Sequence, residues 1–322
     1  MAKFKVVLTD NIFTDLNMER NMLSDVDAEF IEVKDPAMLK EECKDADAVV
    51  NTYLEMNEEI ISSMEKCRLI IRNGIGVNTI DVDACNAKGI MVANIPAYCI
   101  DEVATHTFAL LLNLARKITL LNNSVKKGIW DVNNAIPLYS LQENILGLVG
   151  FGRIPHLVND RAKPFGFKVI TYDPYVTKEM AQEAGVRKVE LDELLMESDY
   201  ISIHCPLTPQ TKGMFNRETF KKMKNTAVII NAARGPIINE PDLVDALNKG
   251  QLAGAGLDVL EKDEVDIDNP LLRMDNVIIT PHAAWYSEES MIRRRVQTIE
   301  SVISVLQGGE PESLINRKQL GR

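Results

Sequence analysis

Short apolar runs alternate with polar, helix-forming stretches through the first part of the chain. The apolar runs are KVVLTD, ADAVVNTY, RLIIRNG and IMVANIP, and stretches such as DPAMLKEECKDA and NEEIISSMEKC lie between them. Continuous β-branched runs are typical of strands buried on both faces, and strands that alternate with helices pair in parallel. The pattern therefore predicts a parallel α/β domain over residues 1–100.

A second block of the same pattern follows a long helix. Residues 101–118, DEVATHTFALLLNLARKI, have acids at the start, bases at the end and an apolar stripe between, which predicts one helix. A polar arm, Leu120 to Glu143, leads to six further apolar runs: ILGLVGFG, FKVITYD, YISIHCP, TAVIINAA, GAGLDVL and NVIITP. Six strands with intervening helices make up a doubly wound dinucleotide domain. We predict this domain over 101–295, with 296–322 returning to the first domain as a helix and tail.

Composition narrows the classes of partner. The chain has 322 residues, of which 46% are hydrophobic and 26% charged, and a formal net charge of −11. An acidic protein is poorly suited to nucleic acid or to an anionic membrane, and no apolar stretch approaches the length of a membrane span. Five cysteines are scattered without a C-x-x-C pair, which favours reduced, buried thiols over disulfides or a metal site. We expect a cytoplasmic protein that binds small molecules.

The stretch GFGRIPHLVND begins like a dinucleotide-binding fingerprint. Gly150 permits the tight turn after a buried strand, and Gly152 lets the backbone approach a pyrophosphate. The N–H groups of Arg153 and Ile154, at the start of the next helix, are the expected phosphate donors. The following strand ends at Asp173, at roughly the spacing of 20 residues expected for the acid that binds the ribose hydroxyls. A carboxylate there repels the extra phosphate of NADP, so we predict NAD as the cofactor.

Pro155 stands where this fingerprint normally has its third glycine. Proline is tolerated in the first turn of a helix because its missing N–H has no intrahelical partner there. The cost is steric, since a ring replaces a hydrogen where helix and strand pack closely. We expect NAD binding to survive, weakened, with the helix shifted slightly outward.

Polar residues follow three further strands, at the edge of the sheet where open α/β sheets bind ligands. Arg234 follows TAVIINAA, and His282 follows NVIITP. The run GAGLDVL carries Asp258 and leads to the acids Glu261, Asp263 and Glu264. A guanidinium grips a carboxylate with two hydrogen bonds, and an imidazolium oriented by a carboxylate donates a proton. The set suits hydride transfer to a carbonyl. Taken singly, Arg234 could instead form a surface salt bridge and His282 a cap or core contact.

Eight segments stand in an order that resembles the D-isomer-specific 2-hydroxyacid dehydrogenases over nearly the whole chain. They are RNGIGVNTID, NIPAY, LGLVGFGRI, AKPFGFKVITYDPY, HCPLTPQTKGMFN, INAARGPIINE, GAGLDVLE and TPHAAW. PHAAWYSEES is most similar to the branch of the C-terminal-binding proteins and their bacterial relatives. The resemblance implies a flavodoxin-like substrate domain and a Rossmann NAD-binding domain, both doubly wound parallel sheets, with the active site in the cleft. It also implies a homodimer, for which the apolar residues of the polar arm would be buried.

The resemblance implies a role for each candidate residue. Arg234 would bind and polarise a 2-keto acid, and His282 would be the acid/base. Backbone N–H groups of Ile75 and Gly76 would hold the substrate carboxylate. Asp258 would meet the nicotinamide amide. The remaining residues expected on the cofactor are His204, Cys205, Pro206 and Ala232.

The acid partner of His282 departs from the family pattern. Where the family usually has glutamate, this chain has Asp263, followed by Glu264. Aspartate is one methylene shorter, so the role is carried onto Asp263 with Glu264 and Glu261 as alternatives. A weaker contact would raise the histidine pKa less, because a nearby carboxylate favours the charged ring.

Aromatic and apolar residues near the predicted site bear on the substrate. Trp285 directly follows the histidine motif and could roof the substrate or belong to ordinary packing between the domains. Tyr53, Leu54 and Met56 follow a predicted strand and suggest an apolar side-chain pocket. We expect an NAD-dependent D-2-hydroxyacid dehydrogenase. The alternatives are an NAD(H)-sensing, corepressor-like binding protein without turnover, and a 3-phosphoglycerate dehydrogenase.

Overall fold

A computed structural model describes residues 2–13, 15–262, 264 and 266–322. The chain divides into two compact units, Met1–Tyr98 with Ser287–Arg322, and Cys99–Tyr286. The first unit contains β1 (Phe4–Leu8), α1 (Asn17–Ser24), β2 (Ala28–Glu32), α2 (Leu39–Lys44), β3 (Ala48–Asn51), α3 (Glu58–Ser63), β4 (Leu69–Arg72), α4 (Val82–Lys88), β5 (Met91–Ala93) and the late helix α12 (Glu288–Leu306).

The second unit carries the remaining elements in one unbroken stretch of chain. They are α5 (Ile100–Arg116), α6 (Ile118–Lys126), β6 (Ile145–Val149), α7 (Arg153–Ala162), β7 (Lys168–Tyr172), α8 (Lys178–Glu183), β8 (Arg187–Lys188), α9 (Leu191–Glu197), β9 (Tyr200–Ile203), α10 (Arg217–Phe220), β10 (Val228–Asn231), α11 (Glu240–Asn248), β11 (Gly254–Leu257) and β12 (Val277–Ile279).

The first unit is a parallel sheet in the order β2-β1-β3-β4-β5. This is the flavodoxin-like strand order, as predicted. The inner strand β3 is buried along its whole length, because helices cover both faces of a doubly wound sheet. The edge strand β2, which the sequence analysis missed, reads AEFIE and buries only Phe30 fully. Its two glutamates and its incomplete burial are typical of an edge strand.

The helix α12 returns the chain to the first unit earlier than predicted. Its N-cap is Ser287, whose hydroxyl accepts from the N–H of Ser290. The helix is continuous across residue 296, so the boundary lies at 287. Nε of Arg295 donates to Oε1 of the buried Glu19 at 2.5 Å, which ties α12 to α1.

The second unit is a seven-stranded parallel sheet in the order β12-β11-β10-β9-β6-β7-β8. Strand order reverses between β6 and β9, and ligands bind beyond the carboxyl ends of the strands at such a switch point. Six of these strands were predicted. The seventh, β8, comprises only Arg187 and Lys188 at the sheet edge, too short and polar for its pattern to indicate a strand.

The helix predicted over 101–118 is α5, which ends two residues earlier, at Arg116, and a second helix, α6, begins at Ile118. Lys117 adopts a left-handed conformation, φ 50°, that ends α5 and begins α6. The arm from Leu120 onward is therefore partly helical. No residue of α6 is buried. Several large apolar side chains of this region are exposed within the unit, including Trp130 at 89% and Ile136 at 63%.

Among the described residues, no helix has the length and apolar character needed to cross a membrane.

Candidate active site

The turn from β6 to α7 has the geometry of a dinucleotide-binding loop. Gly150 has φ +94°, and a Cβ there would lie 2.9 Å from the Cys205 nitrogen and 3.0 Å from the His204 carbonyl carbon. Only glycine fits this conformation and this close approach. At Gly152, by contrast, an added Cβ would meet no atom within 4 Å. The space over the N-terminus of α7 is therefore open to a diphosphate.

Pro155 lies in the first turn of α7, where the sequence predicted that it would be tolerated. The helix begins at Arg153, and its first backbone bond runs from the N–H of His156 to the carbonyl of Gly152 at 3.2 Å. A residue at position 155 would have no intrahelical acceptor, so the ring removes no helical bond. Its side chain is buried. The N–H groups of Arg153 and Ile154 lie ahead of the first helical bond, available to a phosphate.

The carboxylate of Asp173 is attached to the same turn. Oδ2 accepts from the N–H of Phe151 at 2.8 Å, and Oδ1 accepts from the N–H of Tyr175 at 2.8 Å. The side chain at the end of β7 is thus fixed beside the glycine turn. This is the arrangement in which an acid reaches the ribose of a bound dinucleotide.

The segment after β9 forms the opposite wall of the glycine turn. Burial lowers the pKa of His204 to about 3, and Nε2 lies 2.9 Å from Oγ of Ser202. Burial raises the pKa of the Cys205 thiol to about 11. Both side chains are therefore neutral at physiological pH. Pro206 is exposed, and Ala232, after β10, is half-buried.

Arg234 stands on a turn built by its neighbours. Nδ2 of the buried Asn231 donates to the Arg234 carbonyl at 2.9 Å, and Oδ1 accepts from the N–H of Ala233 at 3.0 Å. The next residue must be glycine, because a Cβ at Gly235 would lie 1.7 Å from the Leu260 carbonyl oxygen. The chain after β11 thus crosses directly over this turn, so that Arg234 and the acidic segment share one edge of the sheet.

His282 is held in an uncommon backbone conformation by Asp258. Its φ is +51°, in the left-handed region. Its N–H donates to the carbonyl of Asp258 at 2.8 Å and to that of Thr280 at 3.0 Å. The Asp258 carboxylate accepts from the N–H groups of Ala283 and Ala284, both at 2.9 Å. Asp258 thus organises the histidine turn, a role that sequence analysis missed; its contact with nicotinamide stays a prediction.

The acid predicted to orient His282, Asp263, lies outside the described residues. The alternatives Glu261 and Glu264 are described and exposed. Within the described part of the chain, neither carboxylate forms a hydrogen bond with His282. Glu261 is anchored through its backbone N–H, which donates to Oε2 of Glu240 at 3.1 Å.

The predicted carboxylate-binding residues lie in a loop of the first unit. Ile75 and Gly76 follow β4 and are half-buried, and the Ile75 carbonyl accepts from Nδ2 of Asn94 at 2.6 Å. No hydrogen bond from the N–H of either residue occurs within the described part of the chain. Both donors are therefore available to an anion.

The predicted apolar pocket is partly wrong. Met56 is 0% exposed in the core of the first unit and cannot contact a substrate. Tyr53 is exposed, with the guanidinium of Arg72 5.8 Å from its ring centroid. Trp285, in the second unit, is half-buried and packs edge-on against Tyr286 at 5.6 Å.

The described residues form neither a reactive thiol site around Cys43, Cys67 or Cys85 nor a cluster of metal ligands. Burial raises the pKa of Cys43, Cys67 and Cys85 to about 12. No group of three or more His, Cys, Asp or Glu side chains there could hold a metal ion.

Residues 108–284 match the family model described as "D-isomer specific 2-hydroxyacid dehydrogenase, NAD binding domain". The chain is also 39% identical over 278 residues to a hydroxypyruvate reductase of Blautia hydrogenotrophica, covering 85% of this chain and 86% of that protein. It belongs to the D-isomer-specific 2-hydroxyacid dehydrogenase family. The second unit of this dehydrogenase-family chain is thus an NAD-binding domain, and NAD is its cofactor.

Two further relatives extend the comparison. A D-3-phosphoglycerate dehydrogenase of Methanocaldococcus jannaschii is 42% identical over 282 residues, which cover 86% of this chain and 53% of that one. The chain thus spans about half the length of that relative. A D-lactate dehydrogenase of Aquifex aeolicus, solved with NAD and lactic acid, superimposes with a TM-score of 0.87 at 34% identity and covers 94% of this chain and 96% of its own.

Proposed function

We propose that this protein is an NAD(H)-dependent reductase of 2-keto acids that forms D-2-hydroxy acids. The observation that carries the proposal lies within the NAD-binding unit. Arg234 and His282 follow β10 and β12, which flank β11 in the sheet, and each stands on a turn fixed by a buried polar residue, Asn231 or Asp258. A guanidinium and an imidazole that rise from two fixed backbone turns beyond neighbouring strand ends suit a keto acid beside nicotinamide.

The chain's own residues have distinct tasks in this mechanism. Arg234 binds the substrate carboxylate and draws electron density toward the carbonyl oxygen, in a pose held by the Asn231 turn. The N–H groups of Ile75 and Gly76 are proposed as further donors to that carboxylate. The bound cofactor supplies the hydride. His282 gives a proton to the oxygen that becomes the hydroxyl, and Asp263 is proposed to orient its ring and favour its charged form.

We propose a preference for NAD over NADP. The support is Asp173, whose carboxylate is fixed beside the glycine turn by the N–H groups of Phe151 and Tyr175. Its charge would repel a 2′-phosphate. An Asp173→Asn variant should therefore lose NADH affinity while its NADPH affinity rises, as measured by titration of each nucleotide.

Which 2-keto acid this protein reduces is best determined by measuring turnover on each candidate. One methylene in an apolar pocket is worth about 1–3 kcal/mol, so pocket residues do not rank similar keto acids. Reduction of 3-phosphohydroxypyruvate deserves its own test, because a relative named D-3-phosphoglycerate dehydrogenase is 42% identical and Arg72 places a cation beside Tyr53.

We also propose that the protein works as a homodimer in the cytoplasm. The support for the dimer is the set of exposed apolar side chains in the segment after α5, Trp130 and Ile136 among them, since a second copy would remove them from water. Sedimentation of a single monomer species at micromolar concentration would contradict the dimer.

The experiment that tests the proposed function follows NADH absorbance with glyoxylate, hydroxypyruvate, pyruvate and 3-phosphohydroxypyruvate. Arg234→Lys replaces a two-pronged donor with a point charge, and losing one charge-assisted bond costs about 1.5–3 kcal/mol, or roughly 10–100-fold in kcat/KM. Arg217→Lys is the matched control, because the exposed Arg217 side chain pairs with Asp242 outside the proposed site. Turnover equal in the two variants would exclude Arg234 from the site. NADH binding without turnover on any keto acid would favour a sensing protein.

A further inference from the structure

A hydrogen-bonded chain of three side chains, His106, Thr280 and Asp258, lies behind the histidine turn. Nε2 of His106 is 2.9 Å from Oγ1 of Thr280 and 3.5 Å from Oδ1 of Asp258. The Thr280 hydroxyl donates to Asp258 Oδ1 at 2.6 Å. All three residues belong to the second unit, and Asp258 is 1% exposed. The sequence pattern assigns no role to His106.

The packing of α5 on β11 places His106 at this position. A Cβ at Gly256 would lie 3.0 Å from Leu114 and 3.2 Å from Leu110, so the missing side chain allows the helix to approach the strand closely. Residues 106, 110 and 114 lie on one helix face, and residues 254, 256 and 258 on one face of the strand. Leu114 also approaches Gly254, at 3.6 Å from its added Cβ. One turn earlier in α5 and two residues further along β11, the same pairing of helix and strand positions brings His106 to Asp258.

The direction of the hydrogen bonds follows from the number of protons. An ionised carboxylate only accepts, and a hydroxyl has one hydrogen to donate. Thr280 donates that hydrogen to Asp258 Oδ1. His106 must therefore donate its Nε2 proton to Thr280 Oγ1. The hydrogen-bonded chain runs from the imidazole N–H to the hydroxyl to the carboxylate. The carboxylate also accepts from the N–H groups of Ala283 and Ala284.

The chain is connected to the backbone that bears His282. The backbone N–H of His282 donates to the carbonyl oxygens of both Asp258 and Thr280. A left-handed conformation in a residue other than glycine is strained and persists only where the surroundings enforce it. Asp258 and Thr280 provide that enforcement, and His106 fixes the rotamer of Thr280 from the helix side.

We propose that His106 is a positioning residue that, through Thr280 and Asp258, holds the turn of residues 280–284 and thereby the imidazole of His282 in its reactive orientation. This inference rests on the proposed function of His282. It assigns His106 no contact with substrate or cofactor. Its expected signature is a loss of kcat with little change in NADH affinity.

Two substitutions of His106 separate the effect of its hydrogen-bond donor from the effect of its ring volume. His106→Gln keeps an N–H donor near the position of Nε2, whereas His106→Phe keeps a ring and removes the donor. Thr107→Val, in the next position of α5, is the control, because Thr107 is also buried but its hydroxyl bonds to no described residue. We expect His106→Phe to lower kcat about tenfold, since small misplacements of reacting groups have such effects. His106→Gln and Thr107→Val should stay within about threefold of the parent.

A second readout does not depend on turnover. The chain has four histidines, so the ring signal of His282 can be assigned in a ¹H–¹³C spectrum by comparison with His282→Gln. We expect this signal to shift or broaden in His106→Phe and to keep its position in His106→Gln and Thr107→Val. If the parent reduces no keto acid, the proposed function fails, and this spectrum still decides whether His106 positions His282.

The proposal has clear contrary outcomes. A His282 signal and a kcat unchanged in His106→Phe would overturn it. So would equal losses in the Gln and Phe variants, since packing alone would then explain both. If His106→Phe does not fold, Thr280→Val interrupts the chain with a side chain of the same shape. It should reproduce the lower kcat and the shifted signal, and normal values for both would refute the role.

Discussion

Alanine at Gly150 should destabilise the fold strongly and alanine at Gly152 hardly at all, whereas both should weaken cofactor binding. Gly150 has φ +94°, and its added Cβ would lie 2.9 Å from the Cys205 nitrogen. Real Cβ atoms essentially never lie within 3.0 Å of another heavy atom, so the backbone of the segment at Cys205 would have to move. Gly152 has φ −89° and open space where its Cβ would stand.

The magnitudes follow from these two geometries. At Gly150, left-handed alanine costs about 1–2 kcal/mol and the overpacked contact about 1–3 kcal/mol. The variant should therefore lose about 2–5 kcal/mol of unfolding free energy. At Gly152, alanine is a poorer N-cap than glycine by about 0.5–1 kcal/mol. The reduced entropy of the unfolded chain offsets this by about 0.4–1 kcal/mol, so stability should hardly change.

Cofactor binding should fall in both variants. The methyl group of Gly152→Ala would occupy the open space over the N-terminus of α7, where the diphosphate is expected. We expect NADH affinity to fall at least tenfold, which corresponds to about 1.4 kcal/mol. Urea unfolding followed by circular dichroism gives the stability, and calorimetric titration of folded protein gives the NADH affinity.

A control variant separates strain from contact. Gly250 has φ +64° and no atom within 4 Å of its added Cβ, so Gly250→Ala reports the cost of left-handed alanine alone. It should be less destabilising than Gly150→Ala and should bind NADH normally. Wild-type NADH affinity in Gly152→Ala would refute the assignment of this turn to the diphosphate. Wild-type stability in Gly150→Ala would refute the geometry.

Three further predictions concern buried polar groups. Thr107→Val should raise the unfolding free energy by about 1 kcal/mol in urea titrations, because the buried hydroxyl has no acceptor among the described residues; a loss of stability would contradict this. Burial raises the pKa of Cys43, Cys67 and Cys85 to about 12, so iodoacetamide at pH 8 should label them only in urea, as read by mass spectrometry. Burial lowers the pKa of His204 to about 3, so below about pH 6.5 the unfolded chain binds more protons than the folded one. The unfolding free energy should therefore fall as the pH is lowered from about 6.5 to 3. It should fall less steeply in a His204→Phe variant.

The parts of the molecule that sequence predicted well are those specified by local pattern. The glycine turn, the start of α7 and Asp173 lie within one strand-turn-helix-strand unit, where spacing alone fixes which groups meet. The tolerance of Pro155 also followed from a local rule, because the first helical bond begins at His156. Both sheets were predicted because continuous apolar runs alternate with helices.

The features that sequence missed depend on contacts between distant segments. His106 lies inside a predicted helix, and only the close approach of α5 to β11 brings it to Thr280 and Asp258. The signal was present in part: glycines at 254 and 256 match leucines at 110 and 114. Met56 follows a strand as a pocket residue would, and only the fold shows that its side chain points into the core.

The central claim is tested most directly by following the hydride itself. NADH deuterated at nicotinamide C4, in each of its two stereoisomers, is incubated with the keto acid that gives the fastest turnover, glyoxylate excepted because its product has no D and L forms. The product is then separated on a chiral column and analysed by mass spectrometry. We predict deuterium at C2 of the D-2-hydroxy acid from one isomer only, and none of this product in a His282→Gln reaction of equal duration. Oxidation of NADH without deuterium in the product, or deuterium in the L enantiomer, would contradict the account.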